Sequence, residues 1–215
     1  MRASPPLVAA LLVVGCSYEG TVPAPGPVER FDPVAPLAQI AAFAGPQAEL
    51  LELRAIFVKA DGTLDLDADY RPSVRYRFTA LASKDDVEAQ GPRAPGSGFG
   101  PNDRVVVEVD VHRAQMMGGT RGGRRYGYKD RGMSRTVQSK ADKDAVKVAP
   151  PTCSFADLWR TAKASGAPGD VVAIIRYGLQ KWPARGAAPA PAYEFRSNGK
   201  DFTLELDAAC KPIRK

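Results

Sequence analysis

Apolar residues recur at helical spacing in two places. Leu37, Ile40, Ala41 and Ala44 follow an i, i+3, i+4, i+7 stripe that Gly45-Pro46 terminates. Phe155, Leu158, Trp159 and Ala162 form a second stripe, opened by Ser154 and Asp157 at capping-box spacing. After each helix come strand-like segments that match in order: Glu49–Leu53 with Asp170–Ile174, Tyr76–Phe78 with Tyr193–Phe195, and Val107–Asp110 with Leu204–Asp207. The last two pairs alternate apolar and polar residues, as half-buried antiparallel strands do. Asn198-Gly199 supplies the positive φ angles of a tight hairpin, and Asp61-Gly62 turns Leu53–Lys59 into Thr63–Ala68. The equivalent of the Asn-Gly turn in the first half is a long insertion, Ser83 to Asp103. The pattern predicts an α+β fold of two tandem helix–strand–strand–strand units, residues 36–113 and 151–215. Each is expected to form its own antiparallel sheet with the helix packed on one face.

Residues 1–15 read as an export signal. Arg2 precedes an apolar stretch from Leu7 to Val14, long enough for a signal-peptide core. No apolar run in the chain reaches the roughly 20 residues of a membrane-spanning helix. The stretch ends in Val13-Val14-Gly15-Cys16, which resembles the lipobox of bacterial lipoproteins. That resemblance implies cleavage before Cys16 and acylation of its thiol and new amino group. Several acyl chains on one residue hold a protein stably at a membrane. Ser17 after the cysteine implies, by the family's sorting rule, the outer membrane, with the protein facing the periplasm. Residues 16–35 then read as a tether kept extended by Pro23, Pro25, Pro27 and Pro33. At about 3.1 Å per residue it would reach up to about 60 Å.

The chain has three cysteines, so with Cys16 lipidated two thiols remain, Cys153 and Cys210. In an oxidising compartment an even remainder reads as one structural disulfide. The pair lacks the C-x-x-C spacing of a reactive dithiol.

Helix, strand, Tyr193-Glu194-Phe195 and then Leu204–Ile213 resemble the PepSY-type domain, a small secreted αβββ module often found in tandem. The resemblance implies periplasmic binding or peptidase inhibition, and it brings no catalytic residues. The primary expectation is a non-enzymatic, membrane-anchored lipoprotein that binds another envelope component through its sheet faces or basic linker. The alternative is a PepSY-like inhibitor of a periplasmic hydrolase, with the insertion 83–103 or the 178–191 loop and its Trp182 entering a target cleft.

Composition changes this picture at one point. The 215 residues carry a formal charge of +6, and Arg113 to Lys147 holds ten Lys and Arg against three Asp. The chain's basicity therefore belongs to the region between the units, read as a basic Gly-rich linker over 114–150. Arg121, Arg124, Arg125, Lys129, Arg131 and Arg135 are its candidate polyanion contacts, for lipopolysaccharide phosphates, anionic lipid or acidic polysaccharide. Arg121-Gly122-Gly123 with Tyr126 and Tyr128 resembles an RGG-type RNA-binding tract, but the export signal argues against nucleic acid as a partner.

Other motifs point less far. A single histidine, His112, excludes any multi-histidine metal site, and no serine sits in a G-x-S-x-G elbow. His112 with Met116 and Met117 would suit copper(I) in ligand type, although adjacent methionines point apart. Asp65, Asp67 and Asp69 have the opening spacing of a calcium loop, with Tyr70 and Tyr76 standing where Gly and Glu are required. Gly96-Ser97-Gly98 lacks the third glycine of a dinucleotide fingerprint. No cofactor and no metal is expected.

Overall fold

Alternating strands need somewhere to bury their apolar side, and here they share one burial surface. The computed structural model describes residues 21–90, 98–112, 115–116, 128–129, 132–142, 144–180, 183 and 187–213. The elements in chain order are β1 (Thr21–Val22), α1 (Leu37–Ala44), β2 (Glu49–Val58), β3 (Ser73–Leu81), α2 (Lys84–Ala89), β4 (Arg104–His112), β5 (Gln115–Met116), β6 (Tyr128–Lys129), β7 (Gly132–Lys140), α3 (Phe155–Ala164), β8 (Ala173–Leu179), β9 (Pro191–Ser197) and β10 (Thr203–Asp207). Eight strands form one antiparallel sheet in the order β1-β7-β4-β3-β2-β8-β9-β10. β5 and β6 pair separately.

This corrects the expected architecture. The fold is mainly β, and among the described residues it has one eight-stranded sheet, the separate β5–β6 pair and three short helices, not two tandem helix–strand units with a sheet each. The seam is the β2–β8 pairing, in which Leu53 faces Tyr177 and Ala55 faces Ile175. Nor is the whole of 114–150 a linker. Residues 132–140 form β7, which pairs with β4 along its length. The expected tether also turns back onto the sheet within the described residues. Thr21 and Val22 pair with β7, and fully buried Phe31 bridges Leu64. Thr63–Ala68 accordingly forms no strand of the sheet, and Leu64 bridges Phe31 instead. The Asp61-Gly62 turn is present, with the Lys59 N–H donating to the Thr63 carbonyl at 2.8 Å.

Alternation decides which side is covered. Leu53, Val74, Tyr76, Phe78, Val107, Val109, Ile175 and Phe195 are buried beneath α1, α3 and the connecting segments. Trp159 of α3 is fully buried and meets Phe195 edge-on, ring centres 4.8 Å apart. Ser154 caps this helix, its hydroxyl accepting from the Asp157 N–H at 3.1 Å.

Three buried tyrosines fasten the irregular segments to the covered side. Tyr76 donates its hydroxyl to the Pro33 carbonyl at 2.7 Å, and Tyr177 donates to Ala149 at 2.9 Å. Tyr193 accepts from the Cys153 N–H at 3.2 Å. Burial raises the pKa of all three hydroxyls, and that of Tyr193 is pushed up to about 12. Each ring adds apolar area while its hydroxyl satisfies a backbone group that would otherwise be buried alone. Gly62 shows how closely the two halves of the chain meet. Its φ is +84°, and a Cβ there would stand 2.4 Å from the Ala156 nitrogen.

Candidate functional site

Among the described residues the other side of the sheet has no helix on it, so its side chains report what the surface is for. They are largely charged. Directly facing residues run across seven strands as Ser134, Asp110, Arg75, Arg54, Arg176, Glu194 and Glu205. Three arginines thus occupy adjacent positions on β3, β2 and β8, in the middle of the sheet. With strands about 4.8 Å apart, they span about 10 Å. Like charges placed directly opposite one another destabilise a sheet.

Acidic neighbours relieve the outer two. Arg75 reaches Asp110 at 2.9 Å and Glu108 at 3.1 Å, and the Asp110 hydrogen bond in particular raises the guanidinium's pKa. Arg176, largely buried, is held by Glu52 at 2.7 Å and donates to the Leu179 carbonyl at 3.2 Å. Arg54 is exposed and has no ion-pair partner among the described residues, and the same holds for Arg77 and Arg196. Arg54, Arg176 and Arg196 line a cavity of about 130 Å³ with Glu52, Glu194 and Ile174.

The charge is arranged as a positive centre between acidic rims. Asp110 and Glu108 stand on the β4 side, and Glu194, Glu205 and Asp207 on the β9–β10 side. A long polyanion laid across all the strands would meet repulsion at both rims. A discrete anionic group at the centre meets planar, donor-rich guanidinium forks suited to phosphate or carboxylate.

The residues singled out from sequence fall elsewhere. Cys16, Arg121, Arg124, Arg125, Arg131, Met117 and Trp182 lie outside the described residues. Lys129 belongs to β6, paired with Gln115. Arg135 is on β7, but it is committed within the fold. Its Nη1 and Nη2 grip both carboxylate oxygens of Asp86, the latter at 2.9 Å, and its Nε donates to the Ala44 carbonyl at 2.8 Å. It is therefore no polyanion contact. Burial alone would raise the pKa of Asp86, but the hydrogen bonds from Arg135 and Ser83 outweigh it and hold the carboxyl below its usual range. Ser83 and Asp86 complete a capping box that starts α2, so the insertion 83–103 opens with a pinned helix.

Cys153 and Cys210 stand at disulfide distance, their Cα atoms 6.1 Å apart. Asp207 sets the turn carrying Cys210, its Oδ1 accepting from the N–H groups of Ala209 and Lys211 at 2.9 Å each. His112 is nearly buried on β4, its Nε2 3.4 Å from the Ser134 hydroxyl. Of the calcium-like aspartates, Asp65 pairs with Lys59 at 3.4 Å and accepts from the Asp67 N–H. Among the described residues no group of three or more His, Cys, Asp or Glu is placed to hold a metal ion, and no helix is long and apolar enough to cross a membrane.

Sequence reasoning missed the arginine row because its members lie far apart in the chain. Only strand register brings residues 54, 75 and 176 together. Comparison with known proteins finds no match: no protein-family model, no curated protein and no solved structure resembles this chain.

Proposed function

We propose that this chain is a lipid-anchored, non-enzymatic binding protein of the bacterial cell envelope, which holds an anionic envelope component against the open face of its sheet. The observation that carries this reading is the facing row Arg75–Arg54–Arg176, with Arg54 exposed and without an ion-pair partner among the described residues. Such a row costs stability in the free protein, and a bound anion offsets that cost. The acidic rims restrict the partner to one that presents discrete groups, such as the phosphates of lipopolysaccharide, at the central strands. The lipobox-like Val13–Cys16 and the even cysteine remainder, at disulfide distance, support the envelope as the compartment.

Two experiments test this. Replacing Cys16 with Ala is expected to release the protein from the membrane fraction; unchanged membrane association would refute the anchor. Lipopolysaccharide is expected to bind the mature protein, and its dephosphorylated form is expected to bind far more weakly. Equal binding of the two forms would refute the anion-binding reading.

A further inference from the structure

A second cavity lies on the covered side of the sheet, away from the arginine row. α1 is poor in bulky side chains on one flank, where Ala38 is exposed and Ala41 and Leu37 are half-buried. The segment 144–151 passes alongside without filling the gap. The result is a groove of about 620 Å³ with Leu50 and Phe78 at its base and Val148 on its far wall. Its walls are fixed in place, because the Val148 N–H donates to the Leu50 carbonyl at 2.8 Å and Tyr177 ties down Ala149. The volume falls within the roughly 300–1,000 Å³ of small-molecule sites, and a preformed apolar wall of this kind is their usual construction.

One end of the groove is charged. Lys147 Nζ and Arg104 Nη1 both stand 2.6 Å from Glu49 Oε2. Lys147 also lines an adjoining cavity of about 290 Å³, together with Arg104, Lys140, Thr79 and Asp142. The combined lining holds three cations, Arg104, Lys140 and Lys147, against two carboxylates, Glu49 and Asp142. Asp103 holds Lys140 at 2.9 Å from outside that lining. At the junction itself two cations, Lys147 and Arg104, share the single carboxylate of Glu49, and an apolar groove that ends in such a pair is complementary to an amphiphile with one chain and an anionic head.

We infer that the groove between α1 and residues 144–151 binds a fatty acid, its chain lying over Leu50 and Phe78 and its carboxylate shared between Lys147 and Arg104. The ligand enters on the covered side of the sheet, so this site is independent of the arginine face. The test uses the mature protein in phospholipid vesicles, with a diazirine-bearing fatty acid as probe and the crosslinked residues mapped by peptide mass spectrometry. Crosslinks are expected on 34–41, 48–50 and 147–151, displaced by dodecanoate and at least tenfold less by dodecanol. Ala38→Trp, at an exposed position that fills the groove, is expected to lower labelling about tenfold. Lys147→Glu is expected to weaken competition by dodecanoate while leaving competition by dodecanol unchanged. Labelling spread over the chain, labelling indifferent to Ala38→Trp, or equal competition by the alcohol would each overturn the assignment. A dimer that Ala38→Trp dissolves, without labelling of the groove, would give the site to a second copy of the chain and overturn it as well.

Discussion

Arg54 and Arg176 face each other directly across β2 and β8, the seam of the sheet, and only Arg176 is neutralised, by Glu52 at 2.7 Å. A chain selected for stability alone would not keep the uncompensated partner. Replacing Arg54 with Gln removes two like-charge contacts, to Arg75 and to Arg176, and breaks no ion pair among the described residues. The expected outcome is unchanged or slightly higher stability, by up to about 0.5 kcal/mol, with weaker anion binding. Urea denaturation of both proteins checks the first half. A clear loss of stability would mean that Arg54 has a structural role.

Arg135 and Asp86 make the opposite case, a charge pair that belongs to the fold. Asp86→Asn leaves the guanidinium largely buried without its counter-charge, and about 2–3 kcal/mol of stability is expected to be lost at neutral pH. The pH dependence follows from the sign of the shift. The folded pKa of Asp86 lies below its unfolded value, so the pair contributes fully above about pH 4 and fades as pH falls through the lowered value. Thermal melts of the two proteins are therefore expected to differ most near pH 7 and to converge under acid. A gap that persists unchanged at low pH would show that the ion pair is not its source.

Arg135 also explains why part of the fold was not legible. In β7 the residues on the covered side are Met133, Arg135 and Val137, paired with Val111, Val109 and Val107. A charged residue at an inward position breaks the apolar alternation by which a strand is read, and so the segment looked like a cationic linker. Asp86, distant in sequence, makes that position tolerable. By contrast, α3 was legible from its stripe and its Ser154 cap, and the β9–β10 hairpin from Asn198-Gly199, where Gly199 has a φ of +74°. These signals are local. The β2–β8 pairing is not, since nothing in the pattern of Glu49–Val58 says whether its second edge meets solvent or another strand. The arginine face depended on that pairing and was lost with it.

The Cys153–Cys210 pair is expected to act through the unfolded chain. Linking residues 57 apart in sequence removes loop entropy worth about 4 kcal/mol in the chain-entropy model. Urea titrations with and without reductant, and of a Cys153→Ser, Cys210→Ser variant, measure it directly. Both the reduced protein and the variant are expected to unfold at markedly lower urea. Superimposable curves would show that the thiols are unlinked in the protein as isolated.

Calorimetric titration of phosphate-bearing lipopolysaccharide into the mature protein, for wild type and Arg54→Glu at low and moderate salt, bears most directly on the binding role. The predicted result is salt-sensitive binding by the wild type and at least a tenfold loss on charge reversal, with the fold intact by circular dichroism. Equal affinity of the two proteins, or binding indifferent to salt, would contradict it.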